Sequence, residues 1–151
     1  MLEPKDSAST EHHFFERIAR RQQAIDSRLC IGIDPDRRRI PRCCGSGEES
    51  IFNFCKAIVD ATADTASCYK PQIAYFAAEG AEDALQETIR YIQRLGIPVL
   101  LDSKRGDIGS TAEMYARELF ERYGADATTV NPYMGLDSMQ PYLDYHDRGI
   151  F

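Results

Sequence analysis

The feature that most restricts this chain is the regular return of short apolar runs, beginning at Leu29, Ser67, Ile97 and Ala127, each followed by a longer amphipathic stretch. A spacing of about 30 residues or slightly more is the length of one strand–helix unit. Strands separated by helices cross over and line up in parallel, so the alternation demands a parallel sheet covered by helices. Leu29–Ile33 is halted by Asp34-Pro35, Ser67–Pro71 is the second strand, Ile97–Leu101 the third and Ala127–Val130 the fourth. Gly149-Ile150-Phe151 reads as the start of a fifth.

Between these runs the apolar residues recur at helical spacing. Phe14, Phe15, Ile18 and Ile25 form one stripe among Glu, Arg and Gln, expected to pack a first helix against the sheet or a barrel end. Further helices are expected over Ser50–Ala63, Gly80–Leu95 and Thr111–Tyr123, with a weaker one over Ser138–Leu143. Ser110 followed by Glu113 has the pattern of a capping box, and Gly124 stops the helix. Residues 37–47, with four arginines and the pair Cys43-Cys44, read as loop. Residues 1–11 read as a polar leader and 12–151 as one domain.

Two architectures fit: an open doubly wound sheet and a (β/α)8 TIM barrel. A barrel needs ~250 residues, so four units and the start of a fifth amount to about half of one. Asp34, Lys70, Asp102, Lys104 and Asn131 all fall at C-terminal strand ends. A barrel gathers those ends on one rim, where active sites are built, whereas an open sheet spreads them along an edge. The first half of a barrel is therefore the expected α/β fold.

With 24 acidic against 18 basic residues and a formal charge of −6, the chain has no cationic surplus for gripping a phosphate backbone, and nucleic acid is not an expected partner. It has no run near the ~20 apolar residues of a membrane span, nor a signal-peptide core, so no membrane and a cytoplasmic location are expected. The five cysteines form no C-x-x-C, and no histidines stand at zinc spacing. Free thiols are the reading, with Cys30, Cys55 and Cys68 as small core residues.

The segment 101–111, LDSKRGDIGST, is the densest in chemistry. By strand periodicity Asp102 and Lys104 face one side, while Asp107 sits on a glycine-flanked loop. With Lys70 they make two cations and two anions. A structural ion-pair network closing the barrel mouth is the plain alternative. An exposed pair contributes only ~0–1 kcal/mol, however, which makes a chemical use the better reading. Ser110 has no histidine beside it and reads as a cap, and neither a dinucleotide fingerprint nor a phosphate loop occurs.

Ile31-Gly32-Ile33-Asp34-Pro35, Tyr69-Lys70-Pro71 and the run from Leu101 to Ala112, with Asn131-Pro132-Tyr133-Met134-Gly135-Leu136-Asp137 after the fourth strand, resemble orotidine 5'-phosphate decarboxylase, particularly its bacterial-type branch. The resemblance covers residues 28–151. The D-x-K-x-x-D core is shared with sugar-phosphate enzymes of the same superfamily, whose second strand ends in a magnesium-binding glutamate. Lys70 at that place argues against metal.

The resemblance implies cofactor-free decarboxylation of orotidine 5'-phosphate to uridine 5'-phosphate. Lys104 would sit beside the developing carbanion and donate the proton, with Asp102 holding it and lying near the departing carboxylate. Lys70 would pair with Asp102 and reach the ribose, and Asp34 would accept a ribose hydroxyl. Asp107 and Thr111 would act across a homodimer interface, completing the neighbour's site. Family members run for roughly another hundred residues, with the phosphate-gripping arginine and glutamine and four more strand–helix units. The isolated chain is thus expected to be inactive. A magnesium-dependent sugar-phosphate decarboxylase or aldolase, and a non-catalytic fragment, are the alternatives.

Overall fold

The computed structural model describes residues 13–47 and 49–151, so the polar leader at 1–11 lies outside the described residues. Helix α1 (Phe14–Ile25) precedes strand β1 (Leu29–Ile33), and α2 (Glu49–Thr62) leads to β2 (Ala66–Pro71). Then come a short α3 (Ile73–Ala77), α4 (Glu82–Arg94), β3 (Leu100–Arg105), α5 (Gly109–Arg117), β4 (Ala127–Val130), α6 (Leu136–Leu143) and β5 (Gly149–Ile150). All strand pairs are parallel: β1 with β2, β3 with β4, and β4 with β5. Single bridges from Tyr69 to Val99 and from Gln72 to Asp102 join the two sets, giving the order β1-β2-β3-β4-β5. This is the expected alternation of strand and helix, an unclosed portion of a barrel.

Side chains alternate across the sheet, because successive Cβ atoms of a strand point to opposite faces. Tyr69, Val99 and Leu101 turn outward and pack under α2 and α4 with Ile51, Cys55, Val59, Leu85, Ile89 and Ile92. The Tyr69 hydroxyl meets Thr62 Oγ1 at 2.7 Å, pairing the polar end of a fully buried ring. On the other face Cys68, Leu100 and Ala127 surround Phe14 and Ile18 of α1. Helix α1 thus closes the lower end of the inner face. A Cβ on Gly149 would stand 2.4 Å from the Phe14 ring and 2.8 Å from Ala127 Cβ, so only glycine lets the ring seat there.

Polar contacts fix α1 as well. The Arg21 guanidinium donates to the carbonyls of Ala66 (2.8 Å) and Ala63 (2.6 Å). Arg17 pairs with buried Asp126, whose other oxygen accepts from the Val99 N–H at 2.9 Å.

Several expectations are corrected. Phe15 is 46% exposed and lies tilted against Phe151, because residues adjacent in sequence sit ~100° apart on a helix and, of the two rings, only Phe14 reaches the sheet. Strand three runs over 100–105 instead of 97–101, since Pro98 has no N–H and serves only as an acceptor, for Tyr69 N–H. Cys30 is exposed, unlike Cys55 and Cys68, because the inner face beside β1 is uncovered.

Ser110 is not a cap: α5 starts at Gly109, its preceding residue is Ile108, and no side chain caps it. That helix continues through a π-helical turn, Glu118–Arg122. Helix α3 was not anticipated. Gln72 caps it through its side-chain oxygen, and five residues are too few for a hydrophobic period to show. Within 37–47 the chain makes two 3-10 turns, Arg37–Arg39 and Arg42–Cys44.

Phe14→Ala is expected to cost about 3–5 kcal/mol. Phe15→Ala is expected to cost about 1 kcal/mol or less. The urea unfolding midpoints of the two variants measure the difference.

Candidate active site

At the C-terminal ends of β2 and β3, one step above the α1 plug on the same inner face, Asp102 is only 5% exposed. An isolated buried carboxylate would be very costly, and this one is surrounded by donors. Its Oδ2 accepts from Lys70 Nζ at 2.8 Å, and its Oδ1 accepts from Lys104 Nζ at 2.6 Å and from Thr129 Oγ1 at 2.8 Å. Burial alone would raise the Asp102 pKa. Hydrogen bonds from Lys104, Lys70 and Thr129 outweigh it and bring the group down to about 2. For Lys70 burial again opposes the charge, but Asp102 and then Asp34 raise its pKa above the ordinary lysine value.

The meeting of Asp102 with Lys104 is not simple strand alternation. Between Leu101 and Arg105 the β3 register advances four residues while β4 advances two, from Thr128 to Val130. Lys104 takes a positive φ of 46°. A non-glycine residue held there carries strain of ~1–3 kcal/mol, tolerated when the surroundings fix it. β4 provides that restraint. Thr129 Oγ1 accepts from the N–H groups of Ser103 (3.0 Å) and Lys104 (2.9 Å) while donating to Asp102. Thr128 Oγ1 donates to the Leu101 carbonyl at 2.9 Å, and Ser103 Oγ donates to the Thr129 carbonyl at 3.0 Å. The bulge points Lys104 back at Asp102, leaving its side chain 65% exposed toward the rim.

Thr129 is a site residue that the sequence reading missed. Two adjacent threonines in a strand expected to be buried were the available signal.

The other expected residues are placed less centrally. Asp34 is exposed at the end of β1, near enough for its charge to act on Lys70. Asp107 is not drawn into the cluster of Lys70, Asp102 and Lys104; its carboxylate accepts from the Ile108 N–H at 2.8 Å. Thr111 is exposed in the first turn of α5. The loop carrying Asp107 is pressed against β4. Asn131 N–H donates to the Arg105 carbonyl at 2.7 Å, and a Cβ on Gly106 would come within 3.2 Å of the Asn131 carbonyl. Arg105 faces away from the cluster, pairing with Glu118 at 3.0 Å and lying over the Tyr115 ring. Among the described residues, no group of three or more His, Cys, Asp or Glu side chains is placed to hold a metal ion.

A buried carboxylate bridging two ammonium groups at a strand-end rim can hold a cation rigidly against a substrate anion. The protein-family model described as the orotidine 5'-phosphate decarboxylase / HUMPS family matches residues 27–150. The chain belongs to that family. It is 58% identical over 139 residues to an orotidine 5'-phosphate decarboxylase of Ralstonia nicotianae, covering 91% of this chain and 51% of that protein. Among solved structures, OMP decarboxylase of Leishmania donovani superposes with a TM-score of 0.80 at 41% identity, covering 92% of this chain and 52% of that one. A Toxoplasma gondii structure described as an orotidine-monophosphate-decarboxylase gives 0.87 at 39% identity over 95% of this chain and 49% of its own. The chain therefore spans about half the length of the family members it matches.

Two outcomes follow from the geometry. Asp102 is held at about 2 in the fold against an ordinary 3.8. Its stabilisation, about 2 kcal/mol, is complete above pH ~4 and fades as the pH falls toward 2, with about half gone by pH 3. The advantage of the wild type over Asp102→Asn in urea unfolding is expected to shrink across that range. Thr129→Val leaves two N–H groups unpaired and is expected to cost about 1–3 kcal/mol, with a rise in the Asp102 pKa read by carboxyl carbon NMR. Thr129→Ser is expected to restore both.

Proposed function

We propose that this segment carries the charged chemical centre of an orotidine 5'-phosphate decarboxylase, acting in the last step of UMP synthesis. The observation that carries the reading is the buried Asp102 carboxylate clamped between the Lys70 and Lys104 ammonium groups. In the reaction the substrate carboxylate leaves as carbon dioxide, and its bonding pair stays on ring carbon six. With no cofactor to delocalise that pair, fixed positive charge must stabilise it. Lys104, already oriented by Asp102, would lie beside the carbanion and transfer its Nζ proton to the carbon. Lys70 would maintain the counter-charge on Asp102 and reach the ribose, with Asp34 accepting a ribose hydroxyl. The family relationship and a small-molecule substrate both fit a cytoplasmic biosynthetic enzyme. Among the described residues no helix is long and apolar enough to cross a membrane.

A homodimer sharing its sites is part of the proposal. Exposed Ile108 (56%) beside Asp107, Met114 (51%) on α5, and Tyr133 (93%), Met134 (48%) and Leu136 (64%) between β4 and α6 offer apolar surface suited to a second copy. A groove of about 920 Å³ between α5 and α6, with Gly109 at its margin, adjoins this surface. On it Asp107 and Thr111 would reach the neighbour's substrate.

The magnesium-dependent sugar-phosphate chemistry of the same superfamily is the second reading, kept because the matching family is described as orotidine 5'-phosphate decarboxylase / HUMPS and not as the decarboxylase alone. The hydrogen bond from Lys70 to Asp102 favours the first.

The purified 151-residue chain is expected to release no measurable carbon dioxide from orotidine 5'-phosphate. Catalysis in such a mechanism draws on binding energy at the remote phosphate, and losing that grip removes turnover as well as affinity. Joined to the C-terminal half of the Ralstonia protein, the chain is expected to support uracil-independent growth without a magnesium requirement in the assay. Lys104→Ala in that chimera should lower kcat by about 10²–10⁴-fold. Normal growth of the Lys104→Ala chimera would remove that lysine from the central role.

A further inference from the structure

The strand end that turns Lys104 inward turns Arg105 outward, because successive side chains of a strand leave opposite faces. Strand β3 is the middle one of the five, and Arg105 reaches from its end across to α5. There its guanidinium grips Glu118, which follows the last residue of that helix. Nε donates to Oε2 at 3.2 Å, while Nη2 donates to Oε1 at 3.2 Å and to Oε2 at 3.0 Å. The same group lies over the Tyr115 ring, 4.8 Å from its centroid. A planar fork bonded to both carboxylate oxygens and stacked on a ring has little freedom left. The two side chains are 26% and 23% exposed, so salt screens them less than a surface pair. Glu118 also opens the π-helical turn Glu118–Arg122, a departure from regular helix found frequently at functional sites.

None of these contacts touches the cluster of Lys70, Asp102 and Lys104. What they hold is the loop that carries Asp107. It is three residues long, Gly106 to Ile108, and joins Arg105 at the end of β3 to Gly109 at the start of α5. Glycines at both ends lend such a loop no stiffness of their own, so its direction depends on how the two elements are spaced. One end is fixed to β4, where the Asn131 N–H donates to the Arg105 carbonyl at 2.7 Å. The other end is α5, and the fork ties that helix to the same arginine. Tyr142 of α6 closes the space behind: it is 1% exposed, and Arg105, Tyr115, Asp107 and Glu118 are all near enough to act electrostatically on its hydroxyl.

We propose that Arg105 is a positioning residue for Asp107. Its fork to Glu118, seated on Tyr115, sets the spacing of β3 and α5 and so aims the Asp107 carboxylate at the neighbour's substrate. The proposal rests on the decarboxylase reading, in which Asp107 completes the neighbouring site. Lysine is no substitute, since an ammonium is a point charge without the planar fork.

Two measurements test the brace. In the 151-residue chain, amide hydrogen exchange at Ile108, whose N–H donates to Asp107 Oδ1, reads the order of the loop. Arg105→Lys and Glu118→Gln are each expected to speed that exchange by about tenfold through easier local opening. Tyr142→Phe removes a buried hydroxyl with no hydrogen-bond partner among the described residues and is expected to leave the rate unchanged. In the chimera with the Ralstonia C-terminal half, Arg105→Lys is expected to lower kcat by about 10–10²-fold with little change in KM, the effect of a misplaced reacting group. In an Asp107→Ala background it should cost nothing further, because its influence passes through Asp107. Unchanged exchange in Arg105→Lys, an equal rise in Tyr142→Phe, or losses of kcat that multiply between Arg105→Lys and Asp107→Ala would each overturn the proposal. The exchange measurement needs no turnover, so an inactive parent chimera counts against the decarboxylase reading alone and leaves exchange to decide the brace.

Discussion

One buried carboxylate shared between two ammonium groups organises this molecule. Asp102 is 5% exposed, and charge at that depth is tolerable because two ammonium groups and a hydroxyl donate to its carboxylate. The requirement runs both ways. Lys70 and Lys104 need the anion to stay close to one another, and Asp102 needs both of them, with Thr129, to remain ionised. The cluster joins β2, β3 and β4, three successive units of the alternating fold, so its geometry is a property of the sheet and not of any single segment.

Layers on both sides keep that geometry stiff. Outside, Tyr69, Val99 and Leu101 lock the strands under α2 and α4. Inside and below, Phe14 fills the space that Gly149 leaves open, and Arg17 and Arg21 fasten its helix to the strands. The polar cluster thus sits on a packed apolar floor, where a fixed charge keeps its orientation without reorganising around a changing substrate. The strained Lys104 backbone belongs to the same scheme. Its positive φ is held by Thr129 and turns a lysine at the rim toward the carboxylate beneath it.

Much of the site was legible because its residues are unusual for their places. Lys70 interrupts an otherwise largely apolar strand, Asp102 and Lys104 follow directly on the apolar run 97–101, and their spacing with Asp107 matched a known family pattern. Thr129 escaped notice because a threonine is an ordinary strand residue and its role is defined only by what lies across the ladder. Asp107 was expected on a glycine-flanked loop past the strand, and it does lie apart from the cluster; what the sequence did not show is that its carboxylate accepts from the N–H of its own neighbour, Ile108. Ser110 fitted a capping pattern but falls inside the helix it was meant to begin. Short-range patterns fix which residue types are near an element boundary, not which residue occupies it.

The amino-acid order by itself determined the alternation of strand and helix, the parallel sheet and the set of strand-end residues. Those follow from hydrophobic period and turn chemistry, which act within a few residues. The tertiary structure decided the two register shifts, at Ser67 and across 102–104, which set Cys30 opposite Cys68 and bring Lys104 to Asp102. It also decided which of Phe14 and Phe15 is buried. Register depends on hydrogen bonds and packing between segments distant in the chain, and a shift of one residue reverses the face that a side chain meets.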